Sequence, residues 1–87
     1  MSEGVYILIN VTEEKAGQVA RMLRGQPGVK MIDLLEGPPD VVVILQARSR
    51  HKLANLTNRA LALVDSMTEG IQVLPVRTGY DVQTTGE

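Results

Sequence analysis

Five consecutive β-forming residues, Val41-Val42-Val43-Ile44-Leu45, constrain the fold of this 87-residue chain more than any other feature. A strand turns alternate side chains to opposite faces of its sheet, so an unbroken apolar run is apolar on both faces. One layer of helices can cover one of these faces. We therefore predict a strand that meets helices on one side and another surface, such as a second subunit, on the other.

Three more β-rich segments and two helical stripes of apolar residues surround this run. Strands are predicted over residues 5–11, 29–36 and 71–74, and helices begin after Thr12 and Ser49. The resulting order is βαββαβ, the split βαβ or ferredoxin-like arrangement. The fold class we expect is α+β, a four-stranded antiparallel sheet with two helices on one face. We expect the chain to dimerise through the other face of the sheet, because that face would otherwise be bare and apolar.

The ends of the helices are predicted from capping residues. Thr12 is the expected N-cap of the first helix, with Glu13 and Glu14 in its first turn, where the helix dipole favours acids. The second helix is predicted from Arg50 to Met67, and Gly70 closes it. We expect one domain over residues 1–77, followed by a polar tail over residues 78–87 that is flexible or orders on a neighbour.

Composition excludes several classes of protein. There is no Cys, which excludes disulfides and thiolate chemistry, and a lone His51 excludes a His-rich metal site within one chain. We expect no metal and no cofactor. The net charge of -1 argues against direct binding of nucleic acid, and no apolar run is long enough to span a membrane. A chain this short buries only a small hydrophobic core. We expect a homo-oligomer, because association would bury additional apolar surface.

The turn Gly37-Pro38-Pro39-Asp40 is the first candidate for a binding site. Two prolines stiffen the loop, and Asp40 lies where the loop enters the apolar strand. The Asp40 carboxylate can simply cap the turn. Alternatively it holds the ammonium group of a small ligand whose carboxylate is bound by amides of the loop, and such charge-assisted hydrogen bonds are strong.

A basic cluster at the start of the second helix is the other candidate. It consists of Arg48, Arg50, His51 and Lys52. Solvation by water is the ordinary explanation of such a cluster, and an anion site is the alternative. His51 is a possible general base, but no catalytic partner stands at a recognisable spacing from it. We therefore expect the protein not to be an enzyme.

Read together, the segments of this chain resemble the ligand-binding domain of the Lrp/AsnC family, also called the RAM domain. The resemblance rests on the strand YILINV, on Pro27-Gly28-Val29 before the second strand, on the turn from Gly37 to Asp40, and on Gly70-Ile71 after the second helix. It covers residues 5–76. It implies a ferredoxin-like fold that dimerises through its sheet, and dimers that assemble further into octamers or decamers.

The resemblance also implies a site and a function. Effectors of this family, often amino acids, bind between dimers near the turn, so Gly37 and Asp40 are the expected ligand-binding residues, with Leu35, Glu36 and Val41 beside them. The chain lacks the helix-turn-helix domain of full-length members and is expected to act as a stand-alone cytoplasmic domain, with a full-length family regulator as a possible partner. The family often has threonines where this chain has Leu74 and Val76, which leaves the effector class open.

Two alternatives from other classes remain. One is a small dimeric α+β barrel enzyme, a monooxygenase or isomerase that uses His51. The other is an assembly module that binds a full-length regulator and has no ligand. Loss of turnover in His51→Ala would support the first, and a partner chain bound beside an empty pocket would support the second.

Overall fold

The structure is a computed structural model that describes residues 3–12 and 14–76. Within these residues the chain forms four strands, Glu3–Val11 (β1), Val29–Leu34 (β2), Val41–Ala47 (β3) and Thr68–Val76 (β4), and two α-helices, Ala16–Arg24 (α1) and Arg50–Val64 (α2). The strands form one sheet in the order β2-β3-β1-β4, and all neighbouring strands are antiparallel. The predicted ferredoxin-like fold is confirmed.

The core lies between one face of the sheet and the two helices. The side chains of Val5, Ile7 and Ile9 alternate along β1 and are buried, as are those of Val41, Val43 and Leu45 along β3. The helices cover them with Val19 and Leu23 from α1 and with Ala60 and Val64 from α2. These residues follow the spacings of a strand and of a helix, so the pattern that predicted the elements also determines the core.

The opposite side of the sheet carries no helix in the described part of the chain, and we call it the open face. Its side chains include Tyr6 and Leu8 of β1, Ile44 of β3 and Leu74 of β4. Tyr6 and Leu74 are each 39% exposed, whereas the core residue Ile7, next to Tyr6 on β1, is 1% exposed. The prediction that the valine-rich strand is apolar on both faces, with one face covered by helices, is confirmed.

The predicted start of the first helix is wrong. Thr12 does not cap α1, because its backbone N–H and its hydroxyl both donate to the carbonyl oxygen of Met67, at 2.9 and 3.3 Å. Glu14 adopts a positive φ of 55°, and the helix begins only at Ala16. Thr12 therefore ties the end of β1 to the segment before β4. Glu13, the other predicted first-turn acid, lies outside the described residues.

The second helix begins as predicted and ends earlier. The Ser49 hydroxyl oxygen accepts a hydrogen bond from the backbone N–H of Lys52 at 3.1 Å, which confirms Ser49 as the N-cap. After Val64 the chain tightens into a 3₁₀ turn over Asp65–Met67.

The last strand is longer than predicted, since β4 includes Gly70, which does not end the helix, and Pro75. Proline is tolerated there because β4 is an edge strand of the described sheet. The predicted tail, residues 78–87, lies outside the described residues. Among the residues described, no helix is long and apolar enough to cross a membrane.

Gly28, between α1 and β2, is the glycine with a positive φ among the residues described, and we expect its replacement to be costly. It has a φ of 86°, and a Cβ atom there would lie 2.7 Å from Cδ1 of Leu56 and 3.0 Å from the carbonyl oxygen of Gln46. We expect Gly28→Ala to lower the free energy of unfolding by about 2 kcal/mol or more, because a left-handed alanine is strained and also collides. Gly25→Ala is the control, since Gly25 has a φ of -88° and open space where a Cβ would stand. Equal losses in urea denaturation of the two variants would contradict this account.

Candidate functional site

The turn between β2 and β3 is fixed to the neighbouring strand β1. The backbone N–H of Leu35 donates to the carbonyl oxygen of Asp40 at 2.7 Å, which closes the turn. The N–H of Asp40 donates in turn to the carbonyl oxygen of Ile9 at 2.9 Å. The position of the turn therefore depends on the pairing of β1 with β3 and not on the local sequence alone.

The Asp40 carboxylate is part of this attachment. Its Oδ2 accepts a hydrogen bond from the backbone N–H of Val11 at 3.0 Å. The rest of the carboxylate lies against Gly37, where an added Cβ would collide with it. The turn thus needs glycine at position 37 because a side chain would occupy the space of the Asp40 carboxylate. The carboxylate therefore has a structural role, but it attaches the turn to β1 and does not accept from the N–H groups of its own turn. Its remaining lone pairs can accept further hydrogen bonds.

A cleft of about 390 Å³ lies beside this turn, at the end of the open face. Pro38 and Pro39 form one side of it, and β1 and β4 form the other. Its lining residues are Leu8, Asn10, Pro38, Pro39, Gly70, Ile71 and Gln72. Its volume is in the range of sites that hold small molecules. The predicted turn therefore borders a cavity of suitable size, although its two prolines, and not Gly37 or Asp40, line that cavity.

The five predicted site residues do not all reach this cleft. Gly37 and Asp40 are in contact with each other in the turn, and Leu35 and Glu36 are exposed at its start. Val41 is 0% exposed and belongs to the core beneath the helices. A ligand cannot touch the Val41 side chain in this protomer, so Val41 can only support the turn from below.

Two polar residues of the cleft were not predicted from the sequence. Asn10 on β1 and Gln72 on β4 both point to the open face, with Gln72 paired to Leu8 and Asn10 paired to Gly70. Asn10 did carry a signal, since it is the one polar residue within the apolar run YILINV. No sequence signal marks Gln72, because polar residues are common on edge strands. Only the register of β1 and β4 shows that the two are diagonal neighbours on the same face of the sheet.

A second cleft, of about 590 Å³, lies on the other side of the sheet, between α2 and β4. It is larger and more apolar, with Leu53, Leu61 and Val73 among its lining residues. It shares no residue with the turn, which is why we do not take it as the predicted site.

The basic cluster at the start of α2 is spread over the surface. Arg48, Arg50, His51 and Lys52 are all exposed, as expected of a solvated cluster. His51 lines neither of the two clefts just described. Within the described ranges, no three His, Asp or Glu side chains are grouped as metal ligands require.

Leu74 and Val76 of β4 stand where the Lrp/AsnC pattern often has threonines, and neither side chain lines the cleft. Leu74 lies on the open face, paired with Tyr6, and Val76 is paired with Gly4. Leu74 therefore adds apolar surface to the face through which we expect the chain to dimerise.

The described residues define a class: a ferredoxin-like domain with one face of its sheet open and a cleft at the end of that face. No protein-family model matches the chain, and no curated protein matches it in sequence. Solved structures do match. The structure of PH0061 superposes with a TM-score of 0.79 at 17% identity, over 92% of this chain and 55% of that one.

Two further matches have very different lengths. TTHA0845 from Thermus thermophilus matches with a TM-score of 0.75 at 15% identity, over 91% of this chain and 98% of its own. AsnC of E. coli matches with a TM-score of 0.72 at 16% identity, over 85% of this chain and 50% of its own. The chain thus spans about half the length of PH0061 and of AsnC, and nearly all of TTHA0845. The resemblance to the Lrp/AsnC ligand-binding domain is confirmed at the level of the fold.

One matching structure includes a small molecule. It is the transcriptional regulator NMB0573 of Neisseria meningitidis in complex with L-Met, with a TM-score of 0.66 at 15% identity over 91% of this chain and 52% of that one.

Proposed function

We propose that this chain is an effector-binding domain of the Lrp/AsnC type, which senses a small metabolite, in the first instance an amino acid. It acts by binding and not by catalysis, and it works in the cytoplasm without a metal or cofactor. The observation that carries the proposal is the cleft of about 390 Å³ that the Pro38-Pro39 turn forms with β1 and β4. The presence of L-Met in the NMB0573 structure, which shares the fold, supports an amino acid as the first ligand to test.

The chemistry of the turn suits an amino acid. The Asp40 carboxylate is held by the N–H of Val11 and has further lone pairs that can accept hydrogen bonds from an ammonium group. Gly37 lets the Asp40 carboxylate lie close to the loop backbone. The N–H groups of Glu36 and Gly37 are the proposed donors to the ligand carboxylate, with the side chains of Leu35 and Glu36 at the rim, because prolines have no N–H and those of Leu35 and Asp40 already donate within the fold. A turn already fixed to β1 loses little conformational entropy on binding.

The open face suits self-association. Tyr6, Met31 and Leu74 are each about two-fifths exposed there, and a second copy of the sheet would cover them. We propose a homodimer formed through this face, which assembles further into an octamer or decamer. A ligand that binds where two subunits or dimers meet would favour the assembly in which its site is complete, and this linkage is the proposed regulatory mechanism.

We propose that the domain signals through its own assembly or through association with a full-length regulator of the same type.

The first test measures thermal unfolding of the protein with each of the twenty amino acids. An effector present at about a hundred times its dissociation constant stabilises the folded state by about 2.7 kcal/mol, a shift of several degrees. We expect a shift with one or a few amino acids. No shift with any of them would contradict amino-acid sensing and favour the ligand-free assembly module.

The second test removes the proposed ammonium partner. We expect Asp40→Asn and Asp40→Ala both to abolish the ligand-induced shift, because neither retains the negative charge. Without ligand, Asp40→Ala should lower the free energy of unfolding by about 1–3 kcal/mol, since it leaves the Val11 N–H without its acceptor. Asp40→Asn keeps an acceptor oxygen and should cost less.

The matched control is Asp65→Asn, which removes one charge from an exposed residue of the 3₁₀ turn. It should leave the ligand-induced shift unchanged. An unchanged shift in Asp40→Asn would show that Asp40 acts only as the cap of the turn.

A further inference from the structure

Asn10 occupies a position on β1 that makes its carboxamide part of the cleft. It is paired with Gly70 of β4, and a Cβ atom at Gly70 would stand 3.4 Å from the Nδ2 atom of Asn10. Because Gly70 has no side chain, the carboxamide has room between the two strands. The register of the sheet thus places the Asn10 side chain on the open face, in the cleft that Leu8, Gln72 and the two prolines also line.

The carboxamide oxygen of Asn10 has no hydrogen-bond partner. Its Oδ1 is buried and accepts no hydrogen bond, and it is the one such side-chain atom among the residues described. A buried acceptor without a donor is costly, and in native proteins such a group needs an explanation. Rotation about the last torsion of an asparagine is soft, so the oxygen can turn toward the cleft when a donor arrives there. A ligand that brings an N–H or O–H group would supply the missing donor.

The rest of the cleft limits what that ligand can be. None of its lining residues is charged, and its polar side chains are the carboxamides of Asn10 and Gln72. A charged group placed there would lose water and find no counter-charge, which is unfavourable. An uncharged group that both donates and accepts hydrogen bonds would match the two carboxamides.

The cleft is next to Asp40, the proposed binding site of the ligand's ammonium group. Asn10 directly precedes Val11, whose N–H is held by the Asp40 carboxylate. An amino acid whose ammonium group is at Asp40 would therefore have its side chain within reach of the cleft. This placement rests on the function proposed above.

We propose that Asn10 is the specificity-determining residue of this site, and that with Gln72 it selects an amino acid whose side chain is uncharged and donates a hydrogen bond, such as a primary carboxamide or a hydroxyl. Asn10 forms a hydrogen bond with the end of the ligand side chain, whereas Asp40 binds the ligand's ammonium group.

The test compares the affinities of wild type, Asn10→Leu and Asn10→Asp in calorimetric titrations with glutamine, asparagine, serine, threonine, leucine, methionine, lysine and glutamate. We expect wild type to bind a carboxamide or hydroxyl amino acid best. Asn10→Leu should weaken that binding about tenfold or more and prefer leucine or methionine, since the lost hydrogen bond is replaced by apolar contact. Asn10→Asp should shift the preference toward lysine.

Asn55→Leu is the matched control, because Asn55 is exposed on α2 and lines neither cleft. It should leave every affinity unchanged. Without ligand, Asn10→Leu should melt at the same temperature as wild type or higher, because it removes an acceptor that has no partner.

Three outcomes would overturn the inference. Unchanged ligand preferences in both Asn10 variants would show that Asn10 does not select the ligand, while the proposed function would stand. A lower melting temperature together with a weakened dimer in Asn10→Leu, at unchanged preferences, would make Asn10 an interface residue. If wild type bound none of the amino acids, the proposed function would fail, and this inference would fail with it.

Discussion

We expect Ile44→Asp to dissociate the proposed dimer into folded monomers. Ile44 is at the centre of the open face, paired with Tyr6 of β1 on one side and with Met31 of β2 on the other. In a symmetric dimer through this face each substitution occurs twice, so two carboxylates would be buried in an apolar interface. At about 2 kcal/mol for each, the dissociation constant of the dimer would rise about a thousand-fold.

Sedimentation equilibrium over a range of protein concentrations measures this change. Circular dichroism should show that the variant remains folded, because Ile44 faces away from the core between the sheet and the helices. Leu63→Asp adds the same charge at a residue of α2 that is 37% exposed and far from the open face, and it should leave the dimer intact. A dimer that persists in Ile44→Asp and dissociates in Leu63→Asp would place the interface on the helices instead.

Ile7→Ala should be among the most destabilising single truncations in the sheet. Ile7 is on the central strand β1, is 1% exposed, and packs in the core cluster between both helices and the sheet. Replacing a buried isoleucine with alanine costs about 2–5 kcal/mol, because it loses apolar contact and leaves a cavity. A domain of this size has a total stability of about 5–15 kcal/mol, so the variant should melt at least about 10 °C lower and at the extreme not fold.

Ile7→Val provides a graded control that folds. It removes one methylene group and should cost about 0.5–1.5 kcal/mol, measured by urea denaturation at a fixed protein concentration because dimerisation also contributes to stability. A loss below about 1 kcal/mol in Ile7→Ala would mean that this side chain is not enclosed as the structure shows.

Most of the fold could be predicted from the sequence, because it depends on local spacing. Alternation along YILINV and the unbroken run from Val41 to Leu45 identify the central strands, and Ser49 marks the start of the second helix. The errors were at ends of elements. Threonine is a common N-cap residue, but the hydroxyl of Thr12 donates a hydrogen bond to the carbonyl oxygen of Met67, fifty-five residues away. Local capping preference could not anticipate that contact.

The candidate site was predicted only in part. The turn was found because glycine and two prolines before an apolar strand are distinctive. That Asn10 and Gln72 line the cleft beside the turn cannot be predicted in the same way, because the pairing of β1 with β4 determines which residues face it. Val41 was placed at the site because it follows the turn, but its side chain points into the core. Along a strand the next residue always faces the other side of the sheet, so neighbours in sequence are a poor guide to a cleft.

By itself the sequence determined the order of strands and helices, which faces of them are apolar, and the stiff turn at Gly37-Pro38-Pro39-Asp40. These follow from side-chain period and from residues with restricted backbones, which act over a few positions. Only the tertiary structure decided that the turn bonds to Ile9 and Val11 and that a cleft opens beside Asn10. Those facts depend on strand register, and register is a property of two segments that the chain brings together only on folding.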